Sequence, residues 1–413
     1  MKLPRSLATF AGLLCAFGAQ AHEPAVSRYR VTQLPIPDSL TDGCVDGYSA
    51  GASITRINDF GVVNATANCY STVDPATGTL QFLSGTFVAA PWFGAVELPR
   101  SGPVASYSYN INNRGELFGY EFGTPEGGGI YATKWSLAGG RERIFFDPAC
   151  GENLQFQAAV DGNGRYTVGW ALRGDPSLPP PVDQLCIKTR WVIRNAAGVE
   201  TSGPLGGSPS AINVHDVAVG TVDRSAVRYH VPTGQLVVLH AADPAHSVDA
   251  TDINDLGEVA GRISTNSQPD FANGCDPGVA VRWERDGREI VLPHLPGAVS
   301  SHAYGVGYDG ETVGDSGAGQ YCPFSDNSSE RAVLWKGGLV YDLNTLIPRS
   351  AGITLTYAYA VNRRGQITAG GYVNSEPLTL CPSSQFDPVT GTSTITTVPC
   401  HNQRMFLLTP VGR

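Results

Sequence analysis

A short motif recurs seven times along the chain, and this repetition limits the folds that the chain can adopt. In each copy an Ile or Val is followed four residues later by Gly, or in one copy by Asp. The copies are Ile57 to Gly61, Ile111 to Gly115, Val160 to Gly164, Ile212 to Asp216, Ile253 to Gly257, Val306 to Gly310 and Val361 to Gly365. Successive copies lie about 40 to 55 residues apart, a spacing within the range of propeller blades.

A second motif follows each copy and has the form Ala-x-x-Trp or a variant of it. It ends at Trp92, Trp135, Trp191, Tyr229, Trp283, Trp335 and Leu407. A Gly-containing turn and a further hydrophobic segment, such as "QLVVLH", follow most copies. Alternating hydrophobic residues bounded by turn residues predict short β-strands. We therefore predict four strands per unit, termed a to d, with the tryptophans of strand c packed in the core.

Seven units of four strands predict an all-β fold, a seven-bladed β-propeller. The last unit stops at its strand c, "RMFLLTP", and a strand of d type, Tyr29 to Ile36, stands alone near the N-terminus. Pairing of this N-terminal strand with the last blade would close the ring and cover its exposed edges. An open solenoid is the alternative, and it would require atypical polar caps at both ends. We predict a single propeller domain over residues 22–413.

The copy "ATDINDLGEVAGR" also has the composition of a calcium-binding loop, because Asp252, Asn254, Asp255 and Glu258 carry oxygens. Calcium requires about 6 to 8 oxygen ligands. The other copies do not keep these oxygens. They keep Asn or Asp followed by Gly, which favours a hairpin turn with a positive φ. We predict that the motif forms the turn between strands a and b, with a calcium site in a single blade as the alternative.

The N-terminus has the pattern of a signal peptide. Lys2 and Arg5 precede a hydrophobic run from Leu7 to Phe17, and Ala19-Gln20-Ala21 is a small-residue cleavage site. We predict a mature chain that begins at His22 and a periplasmic or secreted location. No later stretch reaches the ~20 hydrophobic residues of a membrane span, so we predict no membrane anchor. The net charge of -9 argues against nucleic acid as a partner, and a monomer is favoured.

The mature chain would contain eight cysteines, an even number that indicates disulfides in an exported protein. Six lie between predicted strands b and c (Cys69, Cys186, Cys275, Cys322, Cys381 and Cys400), and two lie between strand d and the next strand a (Cys44 and Cys150). These connections all emerge on one face of a propeller. We predict the pairs Cys44–Cys69, Cys150–Cys186, Cys275–Cys322 and Cys381–Cys400. Long variable loops on one face of a rigid scaffold are typical of a binding surface.

Five residues at the start of strand a, near that face, are candidate ligand contacts. They are Tyr107, Phe156, Asp249, His302 and Tyr357. Packing between blades is the alternative, and for any one of them we favour packing. The sequence contains no H-E-x-x-H or P-loop motif and no CxxC pair, so we predict no metal and no cofactor and assign no catalytic residue.

These observations favour an exported binding module whose ligand, a glycan, a peptide or a partner protein, contacts the loop-bearing face. The alternative is a secreted propeller enzyme of the polysaccharide lyase or glycoside hydrolase type, with its site at the mouth of the central channel. Two carboxylates about 5–10 Å apart in a closed pocket would favour the enzyme.

The repeat resembles that of bacterial extracellular proteins named for a His-Ala-Phe motif, the HAF-repeat proteins. In that family the unit is approximately Ala-x-x-Ile-Asn-x-x-Gly-x-Val-x-Gly, followed by a loop and His-Ala-Phe-x-Trp. The segments "INDLGEVAG", "AVRW", "INNRGELFG" and "AVLW" carry the resemblance, which covers nearly all of the mature chain. It implies bacterial export and a propeller, and it supplies no activity or site residue.

Overall fold

A computed structural model describes residues 26–41, 51–74, 79–102, 105–123, 129–144, 155–173, 188–240, 246–264, 278–317, 329–387 and 392–412. Within these ranges, only the backbone is described for 51–54, 69–74, 79–83, 155–156, 380–387 and 392–398. The fold is all-β and consists of seven four-stranded antiparallel blades arranged as a β-propeller. The prediction of the fold class is therefore confirmed.

The first four blades follow one another along the chain, each with strands a to d in order. Blade 1 contains Gly51–Ile57, Val63–Asp74, Thr79–Ala90 and Gly94–Glu97. Blade 2 contains Ser106–Ile111, Glu116–Phe122, Gly129–Ser136 and Arg141–Arg143. Blade 3 contains Gln155–Gly162, Tyr166–Arg173, Lys188–Asn195 and Glu200–Leu205. Blade 4 contains Pro209–Ile212, Val217–Val222, Ser225–His230 and Gln235–His240.

Blades 5 and 6 have the same order, and blade 7 closes the ring. Blade 5 contains Ser247–Ile253, Val259–Ser264, Gly278–Trp283 and Glu289–Val291. Blade 6 contains Ser300–Val306, Thr312–Gly317, Arg331–Lys336 and Leu339–Asp342. Blade 7 contains Ile353–Val361, Ile367–Val373 and Arg404–Val411, with the N-terminal strand Arg28–Leu34 as its outer strand. In the described ranges, short 3-10 helices lie at Asp38–Leu40, Leu343–Thr345 and Arg349–Ala351.

The closure of the ring agrees with the prediction from the chain ends. The N-terminal strand pairs with strand 7c over seven residue pairs, from Arg28 opposite Val411 to Leu34 opposite Met405. Because the two strands come from opposite ends of the chain, this pairing fastens the first and last parts of the sequence together.

Two connections between strands b and c form regular β-structure rather than irregular loops. In blade 1, strands 1b and 1c continue as one long hairpin in which Cys69 lies opposite Leu83. In blade 7, an additional hairpin of Thr379–Asp387 and Thr392–Cys400 is inserted. Cys69, Cys381 and Cys400 therefore lie in strands, which corrects their predicted placement in loops.

The predicted disulfide pairs stay predictions. Cys400 is buried and disulfide-bonded. The side chains of Cys69 and Cys381 lie outside the description, and so do all atoms of Cys44, Cys150, Cys186, Cys275 and Cys322.

The tryptophans of strand c pack in the core, with one exception. Trp135, Trp191, Trp283 and Trp335 are all at most 2% exposed. Trp92 is 60% exposed, so its predicted core position is wrong. Strand 1c ends at Ala90 because Pro91 lacks the N–H that a strand requires, and Ala89 stands opposite strand 1b where Trp135 stands in blade 2.

The repeated motif in which Gly or Asp follows Ile or Val by four residues forms the turn between strands a and b in every blade. The glycine slot has a positive φ at Gly61, Gly115, Gly164, Gly257, Gly310 and Gly365, and also at Asp216, where φ is 62°. The turn prediction is confirmed. Within the described ranges, no group of three or more His, Cys, Asp or Glu side chains is placed to hold a metal ion. The described part of the chain also has no helix that is long and apolar enough to cross a membrane.

Candidate functional site

A ring of asparagines joins neighbouring blades at the face formed by the a–b turns. The asparagines are Asn58, Asn112, Asn163, Asn213, Asn254 and Asn362, and Gly307 takes this position in blade 6. Each Oδ1 accepts hydrogen bonds from two backbone N–H groups of its own turn, at 2.9 to 3.1 Å. Each Nδ2 donates to a backbone carbonyl of the next blade, at 2.8 to 3.4 Å. These asparagines are therefore committed to the scaffold.

A second ring lies two residues earlier in each strand a and differs from blade to blade. Its members are Arg56, Asn110, Asp161, Ala211, Asp252, Gly305 and Ala360. In all seven blades a β-bulge directly precedes this position, as the register shifts show. A bulge leaves one residue unpaired and re-aims the side chain that follows it. We call these seven residues the channel ring.

The channel ring surrounds a cavity of about 300 Å³ at the a–b turn end of the central channel. All members except Gly305 line it, together with turn residues that include Asp59, Asp255 and Arg363. A cavity of this volume is at the small end of the range for ligand sites, which is roughly 300–1,000 Å³.

Arg56 crosses this cavity and connects four blades. Its Nη1 donates to the carbonyls of Tyr304 at 3.0 Å and Tyr359 at 3.3 Å. Its Nη2 donates to the carbonyl of Thr251 at 2.7 Å and lies 3.5 Å from the Asp252 carboxylate. Thr251, Tyr304 and Tyr359 are the residues at the β-bulges of blades 5, 6 and 7, and their carbonyls receive the guanidinium.

Two carboxylates share the cavity with Arg56. Asp161 accepts from the backbone N–H groups of Gly162 at 2.7 Å and Ile212 at 2.9 Å. Burial raises the pKa of Asp161 to about 7; the two backbone N–H groups and Arg56 act in the opposite direction, and Asp252 raises it further. Asp252 accepts from the N–H of Val306 at 3.0 Å. Asp161 therefore changes its charge near neutral pH.

Asn110 differs from its neighbours because part of its side chain is uncommitted. Its Oδ1 accepts from the N–H of Ile111 at 3.0 Å. Within the described ranges, no protein group accepts a hydrogen bond from its Nδ2, and the residue lines the cavity. Asn110 can therefore donate to a ligand without breaking a contact of the scaffold.

A network of turn residues forms the rim of the cavity. Asp59 accepts from Nδ2 of Asn113 at 2.7 Å and forms an ion pair with Nε of Arg363 at 3.3 Å. The Arg363 guanidinium also forms an ion pair with Asp255 and lies 4.3 Å from the centre of the Tyr308 ring. Counted over the whole lining, four aspartates (Asp59, Asp161, Asp252 and Asp255) face three arginines (Arg56, Arg114 and Arg363). The charge of the cavity is therefore nearly balanced.

The five ligand contacts predicted from the sequence do not line this cavity. Tyr107 stacks on Tyr120 with ring centres 5.1 Å apart, and Asp249 accepts from the Thr221 hydroxyl at 3.0 Å. Tyr357 is buried, with its ring centre 6.0 Å from that of Tyr359. Phe156 is described by its backbone alone. Whether any of the five contacts a ligand at the loop-bearing face stays a prediction.

His302 is the most deeply buried of the four candidates whose side chains are described. It is 2% exposed, and its Nδ1 lies 2.8 Å from Oδ1 of Asp315. The second oxygen of Asp315 accepts from the Tyr304 hydroxyl at 2.8 Å. Burial, followed by the Asp315 charge, raises the pKa of Tyr304 well above its usual value, so this hydroxyl stays protonated. The group forms a buried polar network between strands 6a and 6b.

The channel ring was not predicted from the sequence, although a signal for it exists. At one place in the repeat four copies have a polar residue (Arg56, Asn110, Asp161 and Asp252) and the other three have Ala or Gly, while Ile or Val follows in six of the seven copies. A polar residue at a position that alternates with buried hydrophobic residues is unusual in a strand core.

Comparisons with known proteins give only distant similarity. No protein-family model matches the sequence, and no curated protein matches it. Among solved structures, an oligogalacturonate lyase in complex with manganese has a TM-score of 0.47 and 12% identity, with 94% of each chain covered. A streptogramin B lyase has a TM-score of 0.47 and 11% identity, with 93% of this chain and 98% of the other covered. An oligogalacturonate lyase from Vibrio parahaemolyticus has a TM-score of 0.47 and 11% identity, with 92% and 97% covered.

Proposed function

We propose that this chain is an exported β-propeller that binds a neutral, hydrogen-bonding ligand in the cavity of the channel ring. The observation that carries the proposal is the β-bulge in all seven blades, after which six of the seven residues of the channel ring line one cavity. Export is supported by the N-terminal segment and by the even number of cysteines that follow it. The cysteine-bearing face remains a second proposed binding surface.

The charges and donors of the cavity support the choice of ligand class. Four aspartates and three arginines leave little net charge to attract an ion. Asn110 offers an uncommitted N–H, and the carboxylates of Asp161 and Asp252 have lone pairs beyond those that their backbone partners use. A group of hydroxyls or amides, such as the end of a glycan or of a peptide, matches this mixture of donors and acceptors.

One observation favours an enzyme as the second candidate function. Asp161, with a pKa of about 7, lies in the same cavity as Asp252. A carboxyl group that titrates near neutral pH suits general acid–base catalysis. Both oxygens of Asp161, however, are held by backbone N–H groups of the scaffold. This commitment makes binding the better-supported function.

The test begins with a glycan and peptide array probed with the mature protein, followed by calorimetry on the strongest ligand. Asn110→Ala should weaken binding about tenfold, because it removes one hydrogen bond of about 1.4 kcal/mol. Asn374→Ala is the matched control, since Asn374 is exposed and lies outside the cavity. Equal affinities of the two variants would exclude the proposed site. Turnover that Asp161→Asn abolishes while binding persists would favour the enzyme.

A further inference from the structure

Three aromatic side chains of blade 1 are exposed, and one of them, Phe60, directly follows the cavity residue Asp59. Trp92 is 60% exposed, Phe60 is 56% exposed and Phe93 is 40% exposed. The rings of Trp92 and Phe93 meet edge to face with centres 6.0 Å apart. Large apolar side chains grouped at a surface usually mark an interaction site, whereas single ones are ordinary.

The a–b turn of blade 1 connects these aromatic residues to the cavity. Asp59 lines the cavity, Phe60 follows it, and Gly61 comes next. A Cβ at Gly61 would lie 3.1 Å from Cη2 of Trp92, so the indole rests on this turn. The aromatic surface therefore begins where the polar cavity ends.

The corresponding turn of blade 2 has the same architecture without the aromatic ring. A Cβ at Gly115 would lie 2.9 Å from Cδ1 of Leu137, so Leu137 rests on its turn glycine as Trp92 does. Leu137 is also exposed, at 44%. A side chain that covers the turn glycine is therefore a scaffold feature shared by blades 1 and 2. Of these two blades, blade 1 has an aromatic side chain at this position.

We infer that Phe60, Trp92 and Phe93 form an aromatic platform that extends the channel site outward along blade 1 and binds the sugar rings of a glycan whose end occupies the cavity. This inference rests on the proposed function of the cavity. Sugar rings have an apolar C–H face and a rim of hydroxyls. The aromatic platform packs against the C–H face. The charge-balanced cavity, including Asn110, forms hydrogen bonds with the hydroxyls.

The ligand predicted in this way is an oligosaccharide without a strong charge. A charged glycan would require a surplus of cations or of carboxylates in the cavity, and its four aspartates and three arginines provide neither. A protein partner is the main competitor, and the experiment must separate the two.

The test uses neutral oligosaccharides of two to six units together with the corresponding monosaccharide, measured by calorimetry. Trp92→Ala should weaken oligosaccharide binding about tenfold and leave monosaccharide binding unchanged, because a single sugar reaches only the cavity. Trp92→Phe should retain most of the affinity. Leu137→Ala is the matched control and should behave as the wild type.

Fluorescence supplies a second measurement. Four of the six tryptophans are buried and Trp170 is half-buried, so a soluble quencher acts mainly on Trp92. A bound oligosaccharide should protect this fluorescence, and a monosaccharide should not.

Three results would overturn the inference. If Trp92→Ala binds oligosaccharides as Leu137→Ala does while Asn110→Ala loses binding, the platform is wrong and the channel site stands. If Asn110→Ala also has no effect, the proposed function fails as well. If only a protein or peptide binds, and Trp92→Ala abolishes that binding, the surface recognises a protein.

Discussion

The two rings at the a–b turn face are only two residues apart in the sequence, yet they have opposite properties. The asparagine ring is nearly the same in every blade, and its side chains form hydrogen bonds with their own turn and with the next blade. The channel ring holds arginine, asparagine, aspartate, alanine and glycine. In this propeller, the repeated position of the asparagine ring joins neighbouring blades. The variable position of the channel ring determines which polar groups line the cavity.

The largest expected effect would come from Arg56, a member of the variable ring that is nevertheless part of the scaffold. Arg56→Ala should lower the free energy of unfolding by about 3–5 kcal/mol, since it leaves Asp252 and three bulge carbonyls without their cation. Urea unfolding followed by circular dichroism measures this change. Arg56→Lys should recover part of it, because the charge remains without the fork of donors. A wild-type midpoint in Arg56→Ala would mean that the contacts of Arg56 do not stabilise the fold.

A smaller loss is expected from the asparagine ring. Asn254→Ala removes bonds to the N–H groups of Leu256 and Glu258 and to the carbonyl of Gly307, so unfolding should become easier by about 2–3 kcal/mol. Asn254→Asp keeps the acceptor for the turn but loses the donor to blade 6. Its free energy of unfolding should lie between those of the wild type and Asn254→Ala. If Asn254→Asp is as stable as the wild type, the bonds between blades contribute nothing and only the turn matters.

The smallest effect concerns the pH dependence of stability. The pKa of Asp161 is about 7 in the folded chain and about 3.9 when unfolded, so between these values the folded state holds one more proton. Stability from this group is complete below pH 4 and falls as the pH rises toward 7, by at most about 1.4 kcal/mol per pH unit. Urea midpoints at pH 5 and pH 6 should differ more for the wild type than for Asp161→Asn. Equal differences would show that Asp161 is ionised at both pH values.

The sequence allowed the blade count, the strand order and the closure by the N-terminal strand to be predicted, because each depends on a pattern repeated along the chain. The prediction that Trp92 packs in the core was wrong because the repeat spacing does not show where strand 1c ends. Its spacing matches strand c, but Pro91 ends the strand first, and the indole comes to lie on the turn surface. The channel ring was missed because a β-bulge changes the direction of a side chain without changing the spacing of the motif.

The architecture could be inferred from the sequence alone, since glycine or aspartate at a positive φ is a local requirement that each copy meets, and six of the seven copies also have the turn asparagine. Which side chains meet depends on the tertiary structure. Arg56, Asp161 and Asp252 lie 105 and 91 residues apart along the chain, and they share one cavity because the ring brings the same position of every blade to its axis. The physical reason is closure: a single blade can specify its own turns, but a cavity exists only when seven of them face one another.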